Sequence, residues 1–380
     1  MGSFNIMPVT TGRLTSRLSK PQKTMLTSPY APILSLTRGE TVESIHYGAI
    51  AVVTPQNALV AYYGDPQVVT FLRSSAKPFQ AMPFVQHGGV EQYQLTQEEL
   101  ALICASHSGT DEHVAVAKSI QAKTGVLETD LLCGTHMPYH KPTAEAMRQR
   151  GEKPTSNRHN CSGKHTGMVA FARLLSLPYR QEEQAYIEME HPIQKEILQN
   201  FAEMCDLPVE QVELGIDGCS APNFAVPLRN AALAFARLSD PSGLPDSKAQ
   251  ACRKIFTAMT SYPNMVGGPD SFDTLLMRAT HTKIVSKGGA EGYQALGIAP
   301  DAAGNGSPAL GITFKVSDGD YRGSVRPAVA IAILSQLGVL KEEELNTLAE
   351  YGPAFNIYNW RKLLVGKAEP CFSLNRPTDG

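Results

Sequence analysis

The sequence has no run of about 18 consecutive apolar residues, the length that a membrane-spanning helix needs. It also has no block of five or more like charges, and its formal net charge is only −2. Nucleic acids and anionic membrane surfaces are bound by concentrated basic charge, so neither partner is expected. These absences favour a small, soluble substrate, and 42% hydrophobic residues suffice for one large core or two smaller ones.

A secretory signal and early acidic residues are also missing. The first acidic residue is Glu40, and residues 1–30 carry only basic charges, as in an organelle transit peptide or a solvated tail; we interpret them as a flexible tail. The seven cysteines are an odd number and are widely spread. This usage favours free thiols or thiolate ligands in a reducing compartment over a disulfide framework. We therefore expect a cytoplasmic protein.

Fixed-period repeats are absent as well, which excludes solenoids and propellers. Three apolar, β-rich segments separated by polar turns predict an antiparallel meander over residues 32–37, 48–54 and 59–63. Helical patterns dominate the middle of the chain, with a capping box at Thr96–Glu99 and apolar residues at helical spacing over 192–204.

A second β-rich stretch, residues 295–316, is interrupted by a polar turn at 303–307, and a long apolar helix is predicted at about 328–340. Strands at both ends with helices between them predict an α+β fold, in which an antiparallel sheet of N- and C-terminal strands packs with helices. Gly304 and Gly306 lie in the hairpin turn, which excludes a dinucleotide motif. Beyond the tail, we expect a catalytic unit at 31–350 and a C-terminal extension at 351–380.

Ser74 and Lys77 are the first residues that suggest chemistry. They lie one helical turn apart, and Pro78 marks the start of a helix, where free N–H groups stabilise an oxyanion. A lysine whose pKa is lowered by burial or by another cation could deprotonate the serine. A capping serine beside a solvated lysine would leave the same pattern.

Two further loops carry similar residues. Ser106 lies in Ser-His-Ser-Gly-Thr, where it is either a second nucleophile or hydroxyl relay, or part of an ordinary helix–helix turn. Lys287 lies in the glycine-rich segment 286–292, which resembles the Lys-Thr-Gly element of penicillin-recognising enzymes with Gly288 in place of the threonine. A flexible surface turn is the alternative for this segment.

Two cysteine-bearing motifs suggest a metal site. Asn-Cys-Ser-Gly-Lys-His contains Cys161 and Lys164 but lacks the first glycine and the final serine or threonine of a phosphate-binding loop. Asp-Gly-Cys-Ser-Ala-Pro contains Cys219. Two thiolates with a deprotonated amine would be ligands for Zn²⁺, whereas buried thiols or a Cys161–Cys219 disulfide are the alternatives.

Taken together and in this order, these motifs resemble the asparaginase II family, the serine-lysine asparaginases, from about Leu36 to Leu340. The resemblance implies a fold similar to serine β-lactamases and glutaminases, and a homodimer. It implies two Ser–Lys pairs, Ser74 with Lys77 and Ser106 with Lys287. It also implies a zinc site formed by Cys161, Lys164 and Cys219. The substrate-binding residues that it implies are Arg73, His165, Asp217 and Gly288.

The implied activity is hydrolysis of the side-chain amide of L-asparagine through an acyl-enzyme, with Ser74 favoured over Ser106 as nucleophile because it lies at the helix start. Zinc is expected to orient the substrate rather than to generate hydroxide. A glutaminase or penicillin-recognising acyl enzyme is the nearest alternative, since one extra methylene distinguishes glutamine from asparagine. A non-catalytic zinc-binding or amino-acid-sensing protein is the alternative from another class.

Overall fold

The computed structural model describes residues 28–180 and 184–377. Most of the expected tail, residues 1–27, therefore lies outside the described residues. The strands are β1 Ala31–Arg38, β2 Thr41–Val53, β3 Leu59–Tyr63, β4 Val69–Phe71, β5 Glu213–Ile216, β6 Pro222–Pro227, β7 Ile284–Gly288, β8 Tyr293–Ile298, β9 Leu310–Val316, β10 Phe355–Tyr358 and β11 Leu364–Pro370.

Helices fill most of the chain between β4 and β7 and follow β9. They are α1 Lys77–Gln86, α2 Gly89–Gln92, α3 Gln97–Ile103, α4 Asp111–Thr124, α5 Lys141–Gln149, α6 Ser162–Leu174, α7 Pro192–Cys205, α8 Leu228–Ser239, α9 Asp246–Ser261, α10 Pro263–Gly267, α11 Phe272–Ala279, α12 Val325–Gln336 and α13 Glu342–Thr347. Within the described ranges, none of these helices is long and apolar enough to cross a membrane.

The main sheet has eight strands in the order β10-β11-β1-β2-β9-β8-β7, with β3 also paired to β2. Each pair along this path is antiparallel. The N-terminal strands β1 and β2 therefore lie between C-terminal strands in one antiparallel sheet, which confirms the predicted α+β class. A second sheet of three strands, β4-β6-β5, lies apart from the main one.

Both faces of the main sheet are buried at its centre, which includes the second half of β2. In β2, Ala49, Ala51 and Val53 belong to one hydrophobic core, whereas Ile50 and Val52 belong to the other. This division follows from the alternation of side chains along a strand. The first core also contains the central helices, including α8, and the second is closed by α12. A strand that is covered on both faces needs the continuous apolar run that β2 shows.

Most of the predicted elements are confirmed. The meander is β1-β2-β3, the capping box at Thr96 and Glu99 begins α3, the helix predicted at 192–204 is α7, and the predicted hairpin is β8-β9. The last long helix is α12, which begins and ends earlier than the predicted 328–340. Pro327 is accommodated in its first turn, and Gly338 adopts a positive φ of 68° just after its end.

The residues after 350, expected to form a C-terminal extension, contribute β10 and β11 to the main sheet. Strand β11 pairs directly with β1, with Leu36 opposite Ala368. Strand β11 lies between β1 and β10, so β10 is the edge strand on this side of the main sheet.

Candidate active site

The first Ser–Lys pair lies where β4 leads into α1. A 3₁₀ turn, Arg73–Ala76, precedes α1, and Pro78 occupies the first turn of that helix as predicted. Arg73 has a φ of 52°, in the left-handed region that side chains rarely adopt. Its backbone N–H donates to the Asn223 side chain at 3.1 Å, so β6 helps to hold this unusual turn in place.

The structure brings the two predicted serines together. Ser106 Oγ lies 3.2 Å from Ser74 Oγ and donates a hydrogen bond to it. Asn160 Nδ2 donates to Ser106 Oγ at 2.9 Å, and the His107 N–H donates to the Asn160 carbonyl at 3.1 Å. The loop after α3 is therefore tied to the segment that precedes α6, and its serine faces the first Ser–Lys turn.

The two predicted lysines are both buried, each with 1% of its surface exposed. Lys77 Nζ donates to the Ala105 carbonyl at 2.6 Å and to Cys161 Sγ at 3.2 Å. Lys287 Nζ donates to the Gly288 carbonyl at 2.8 Å. Among the described residues, neither amine hydrogen-bonds to either serine. Hydrogen bonds of this kind are often long without substrate and shorten when substrate binds.

The surroundings of Lys287 favour its neutral, proton-accepting form. Burial lowers its pKa to about 8, and the positive charges of Lys77 and Arg326 act in the same direction, while Asp273 opposes them. Ser75 Oγ donates to the Lys287 carbonyl at 2.6 Å, which fixes the first turn against β7. Burial or another cation was expected to lower the pKa of the lysine paired with Ser74, and both act on Lys287.

The three predicted zinc ligands lie together beside this cluster. Cys161 precedes the first residue of α6, Lys164 is in its first turn, and Cys219 is in the turn between β5 and β6; each is at most 3% exposed. Lys164 Nζ lies 2.9 Å from Cys219 Sγ, and both cysteines are free thiols. A hydrogen bond from Cys219, with the charges of Lys77 and Lys164, holds the pKa of Cys161 well below its usual range.

This donor set fits zinc, which prefers thiolate and nitrogen ligands. Among the described residues, no three His, Cys, Asp or Glu side chains are grouped to hold a metal, so the amine of Lys164 is required as the third donor. His165 Nε2 is also buried here without a hydrogen-bond partner among the described residues, while His165 Nδ1 lies 2.6 Å from the Tyr186 hydroxyl. Burial, with the Lys164 charge, lowers the pKa of His165 to about 4.

The remaining predicted substrate-binding residues differ in how accessible their polar groups are. Arg73 Nε donates to Asp217 Oδ1 at 2.7 Å, and both side chains are partly exposed. A cavity of about 340 Å³ includes Arg73 in its lining. Gly288 is different, because its N–H donates to Asp273 and its carbonyl accepts from Lys287. Its backbone groups are therefore already engaged.

Three residues of this cluster were not assigned roles from the sequence. Ser75 and Asn160 stand inside recognised motifs, so the motifs contained a signal without indicating which side chain would be used. Asp273 lies in no motif. It accepts hydrogen bonds from Ser286 and Gly288, which flank Lys287, and only the folded chain shows this.

Residues 34–370 match the family described as L-asparaginase II. The chain belongs to the L-asparaginase II family. The match covers most of the sequence and includes every residue predicted to act in the site, which confirms the resemblance inferred from the motifs. Membership of the L-asparaginase II family makes the chain an amidohydrolase. No curated protein matches the chain at a significant level.

Solved structures that are similar to this L-asparaginase II chain include glutaminases and a β-lactamase. The covalent complex of the Bacillus subtilis glutaminase YbgJ with 5-oxo-L-norleucine shares 13% identity at a TM-score of 0.35, over 76% of this chain and 87% of that one. A β-lactamase from Mycobacterium bovis shares 14% identity at a TM-score of 0.40, over 77% of this chain and 95% of that one.

Proposed function

We propose that the protein hydrolyses the side-chain amide of L-asparagine to L-aspartate and ammonia through an acyl-enzyme. The contact that carries this proposal is the 3.2 Å approach of Ser74 Oγ and Ser106 Oγ beside two buried lysines. The two hydroxyls and two amines come from three separate parts of the chain, which are the turn with Ser74 and Lys77, the loop with Ser106, and β7 with Lys287. Caps and solvated lysines would not require this convergence.

Ser74 is proposed as the nucleophile. It lies in the turn that leads into α1, where free N–H groups can hold an oxyanion. Its Oγ is 3.2 Å from Ser106 Oγ, and because hydroxyl hydrogens rotate, either serine can donate across this contact. The Ser74 proton can therefore pass to Ser106, which passes its own proton to the neutral amine of Lys287. Ser106 then serves as a hydroxyl relay.

The proposed reaction has two steps, formation of an ester on Ser74 and its hydrolysis by water. Ser74 Oγ bonds to the side-chain amide carbon and forms a tetrahedral oxyanion. The carbon–nitrogen bond then breaks, and Lys287 returns its proton so that ammonia leaves. Water attacks the carbon of the Ser74 ester with the amine as base. The bond from Ser74 Oγ to this carbon breaks, the amine returns the proton to Ser74, and aspartate is released. A base with a pKa of about 8 has a usable neutral fraction near pH 7 and is still a strong acceptor.

Arg73 and Asp217 are proposed to bind the charged ends of the amino acid. Arg73 uses Nε for Asp217, and its Nη1 lies 3.9 Å from Glu291 Oε1, which leaves Nη2 for a substrate carboxylate. Asp217 offers oxygens for an ammonium group. Burial acts against the charge of Asp217, but the charges of Lys164 and Arg73 hold its pKa below the usual range, so it stays ionised. His165 and Gly288 complete the proposed substrate-binding residues, as the family resemblance implies.

Cys161, Lys164 and Cys219 are proposed to hold Zn²⁺. A zinc ion bound there would supply a fixed positive charge close to the substrate and would help to orient it. Lys77 is placed between this group and the serine loop, because its amine contacts both Cys161 and the Ala105 carbonyl. A homodimer in the cytoplasm remains part of the proposal, on the strength of the family resemblance and the cysteine usage.

The test is ammonia release by the purified protein from L-asparagine and from L-glutamine, with added zinc and after treatment with a chelator. Release from asparagine is expected, with little from glutamine if the pocket excludes the extra methylene. Ser74→Ala is expected to lower kcat about 10³-fold or more, since loss of a nucleophile removes the acyl-enzyme route. The kcat of Ser106→Ala should fall by a smaller factor.

Ser335→Ala is the matched control, because Ser335 lies on α12 and its hydroxyl donates only to the Ile331 carbonyl. Undiminished turnover of Ser74→Ala would remove Ser74 as nucleophile. Release from glutamine alone, or covalent labelling by a β-lactam without ammonia release, would point to the neighbouring acyl-enzyme classes. If chelation changes neither turnover nor substrate affinity, the zinc proposal fails.

A further inference from the structure

Asp273 is a buried carboxylate in the first turn of α11, only 8% exposed. Its Oδ1 accepts hydrogen bonds from Ser286 Oγ at 2.6 Å and from Gln294 Nε2 at 2.9 Å. Its Oδ2 accepts from the Gly288 N–H at 2.7 Å. A carboxylate withdrawn from water persists only when donors and positive charge replace the water, and here three donors do so.

All three donors belong to the hairpin that carries Lys287. Ser286 and Gly288 stand immediately before and after Lys287 in β7, and Gln294 lies opposite Gly288 on β8. The carbonyl of Lys287 is held from the other direction by Ser75. Asp273 therefore anchors the strand on both sides of the lysine and joins α11 to the catalytic cluster.

Two cations, Arg326 and Lys287, lie near Gly288, whose N–H donates to Asp273, and Arg326 also pairs with Asp320 at 3.6 Å. Arg326 Nη1 donates to the carbonyls of Gly289 and Tyr293, at 3.1 and 3.3 Å. A Cβ added to Gly288 would lie 2.6 Å from Arg326 Nη1 and 3.2 Å from Asp273 Oδ2, which places the guanidinium and the carboxylate over the same peptide. The Lys287 amine donates a hydrogen bond to the carbonyl of the same Gly288.

Several charged groups act on Lys287. Asp273 and the Cys161 thiolate favour its protonated form, whereas burial, Lys77 and Arg326 disfavour it. Cys104 is also close, but burial raises the pKa of its thiol to about 12, so it carries no charge near neutral pH. Of the two groups that favour the protonated form of Lys287, Asp273 is the one that also accepts hydrogen bonds from the residues on both sides of the lysine.

We propose that Asp273 is a positioning residue for Lys287, which fixes the strand on both sides of the lysine and places a negative charge beside Gly288, the residue whose carbonyl accepts from the lysine amine. This inference rests on the proposed function, in which Lys287 is the base. Neither the motifs nor the family assignment gives Asp273 a role.

The test compares the pH dependence of kcat for wild type and Asp273→Asn. A lysine base works only when it is neutral, so activity rises with pH through the lysine pKa. Removing the carboxylate takes away the charge that raises this pKa, and the acidic limb should move to lower pH by about one unit, the usual effect of losing a neighbouring opposite charge. ¹⁵N NMR titration of the Lys287 amine, assigned with Lys287→Arg, should show the same displacement.

Ser286→Ala is the matched control, since it removes one hydrogen bond from Asp273 but keeps its charge. Its acidic limb and Lys287 titration should stay at the wild-type pH. A limb and an amine titration that do not move in Asp273→Asn, with kcat reduced equally at every pH, would overturn the inference. Asp273→Ser, a smaller side chain, provides the same comparison if the asparagine variant does not fold.

The amine titration separates this inference from the proposed function. If wild type releases no ammonia from asparagine, the proposed function fails, but a downward displacement of the Lys287 titration in Asp273→Asn would still support the pairing. Ammonia release by wild type together with an unmoved titration would leave the function standing and remove Asp273 from it.

Discussion

Asn160 connects three parts of the site through one short side chain and its backbone. Its Nδ2 donates to Ser106, its N–H donates to His136 Nε2 at 3.1 Å, and its Oδ1 lies 3.5 Å from Cys161 Sγ. His136 Nε2 also lies 3.2 Å from Asn160 Oδ1, and His136 Nδ1 lies 2.7 Å from the Met137 carbonyl. Asn160 is thus held in one orientation while it holds the relay serine.

We predict that Asn160→Leu lowers kcat about tenfold. Leucine has a similar volume but no donor, and the loss of one hydrogen bond to a reacting group is worth roughly 1 kcal/mol or slightly more. Steady-state ammonia release is the measurement, with circular dichroism to confirm the fold. Asn346→Leu, on the exposed α13, is the control. A kcat within twofold of wild type would show that Ser106 needs no donor from Asn160.

At the scale of elements, the site depends on how closely α6 approaches α3. Helix α3 ends just before Ser106, and α6 carries Lys164 and His165 in its first turn. A Cβ on Gly163 would lie 2.1 Å from the Leu102 carbonyl oxygen, a distance that real atoms do not adopt. The glycine of the Asn-Cys-Ser-Gly-Lys-His motif therefore serves close helix packing, whereas its sequence context had suggested comparison with a phosphate loop.

Gly163→Ala is predicted to destabilise the fold by about 1–3 kcal/mol, because the methyl group must push a backbone carbonyl aside. Thermal and denaturant unfolding would measure the loss. Gly243→Ala is the control, since Gly243 is exposed and an added Cβ there meets no atom within 4 Å. Equal stability of the two variants would mean that α6 shifts without cost, and the account of the packing would be wrong.

At the scale of the whole molecule, both ends of the described chain close the main sheet. Strand β11 covers one edge of β1, and Phe372 packs on Tyr63 with ring centroids 5.5 Å apart. Asn375 and Tyr62 exchange two backbone hydrogen bonds, at 2.8 and 3.0 Å. Residues 351–380 were predicted to be an extension of the catalytic unit. Whether the fold can do without them therefore depends on whether the main sheet is stable without β10 and β11.

We predict that a chain ending at residue 350 is insoluble or melts well below the full chain, because β1 would lose its partner and present an open edge. A chain ending at residue 371 keeps β11 but loses Phe372 and the contact with Tyr62, so its melting temperature should fall between the two. Thermal unfolding of the soluble fractions is the measurement. A chain ending at 350 that melts like the full chain would establish residues 351–380 as a true extension.

How far the sequence could predict the site depended on the distance between its parts along the chain. Ser74 and Lys77 are three residues apart, so their spacing already placed them on one turn. Ser106 and Ser74 are 32 residues apart, and nothing in either loop shows that their hydroxyls meet. The motifs identified residues with suitable chemistry, and the family resemblance supplied their pairing.

The sequence by itself determined the strand meander, the capping box of α3, the β8-β9 hairpin and the α+β class, because each depends on residues that are near neighbours or on regular apolar spacing. Only the tertiary structure decided that Asn160 holds Ser106, that Ser75 ties the first turn to β7, and that Asp273 accepts hydrogen bonds from the residues on both sides of Lys287. These contacts join residues up to 212 positions apart. Such contacts arise from the packing of helices and sheet, which no local pattern encodes.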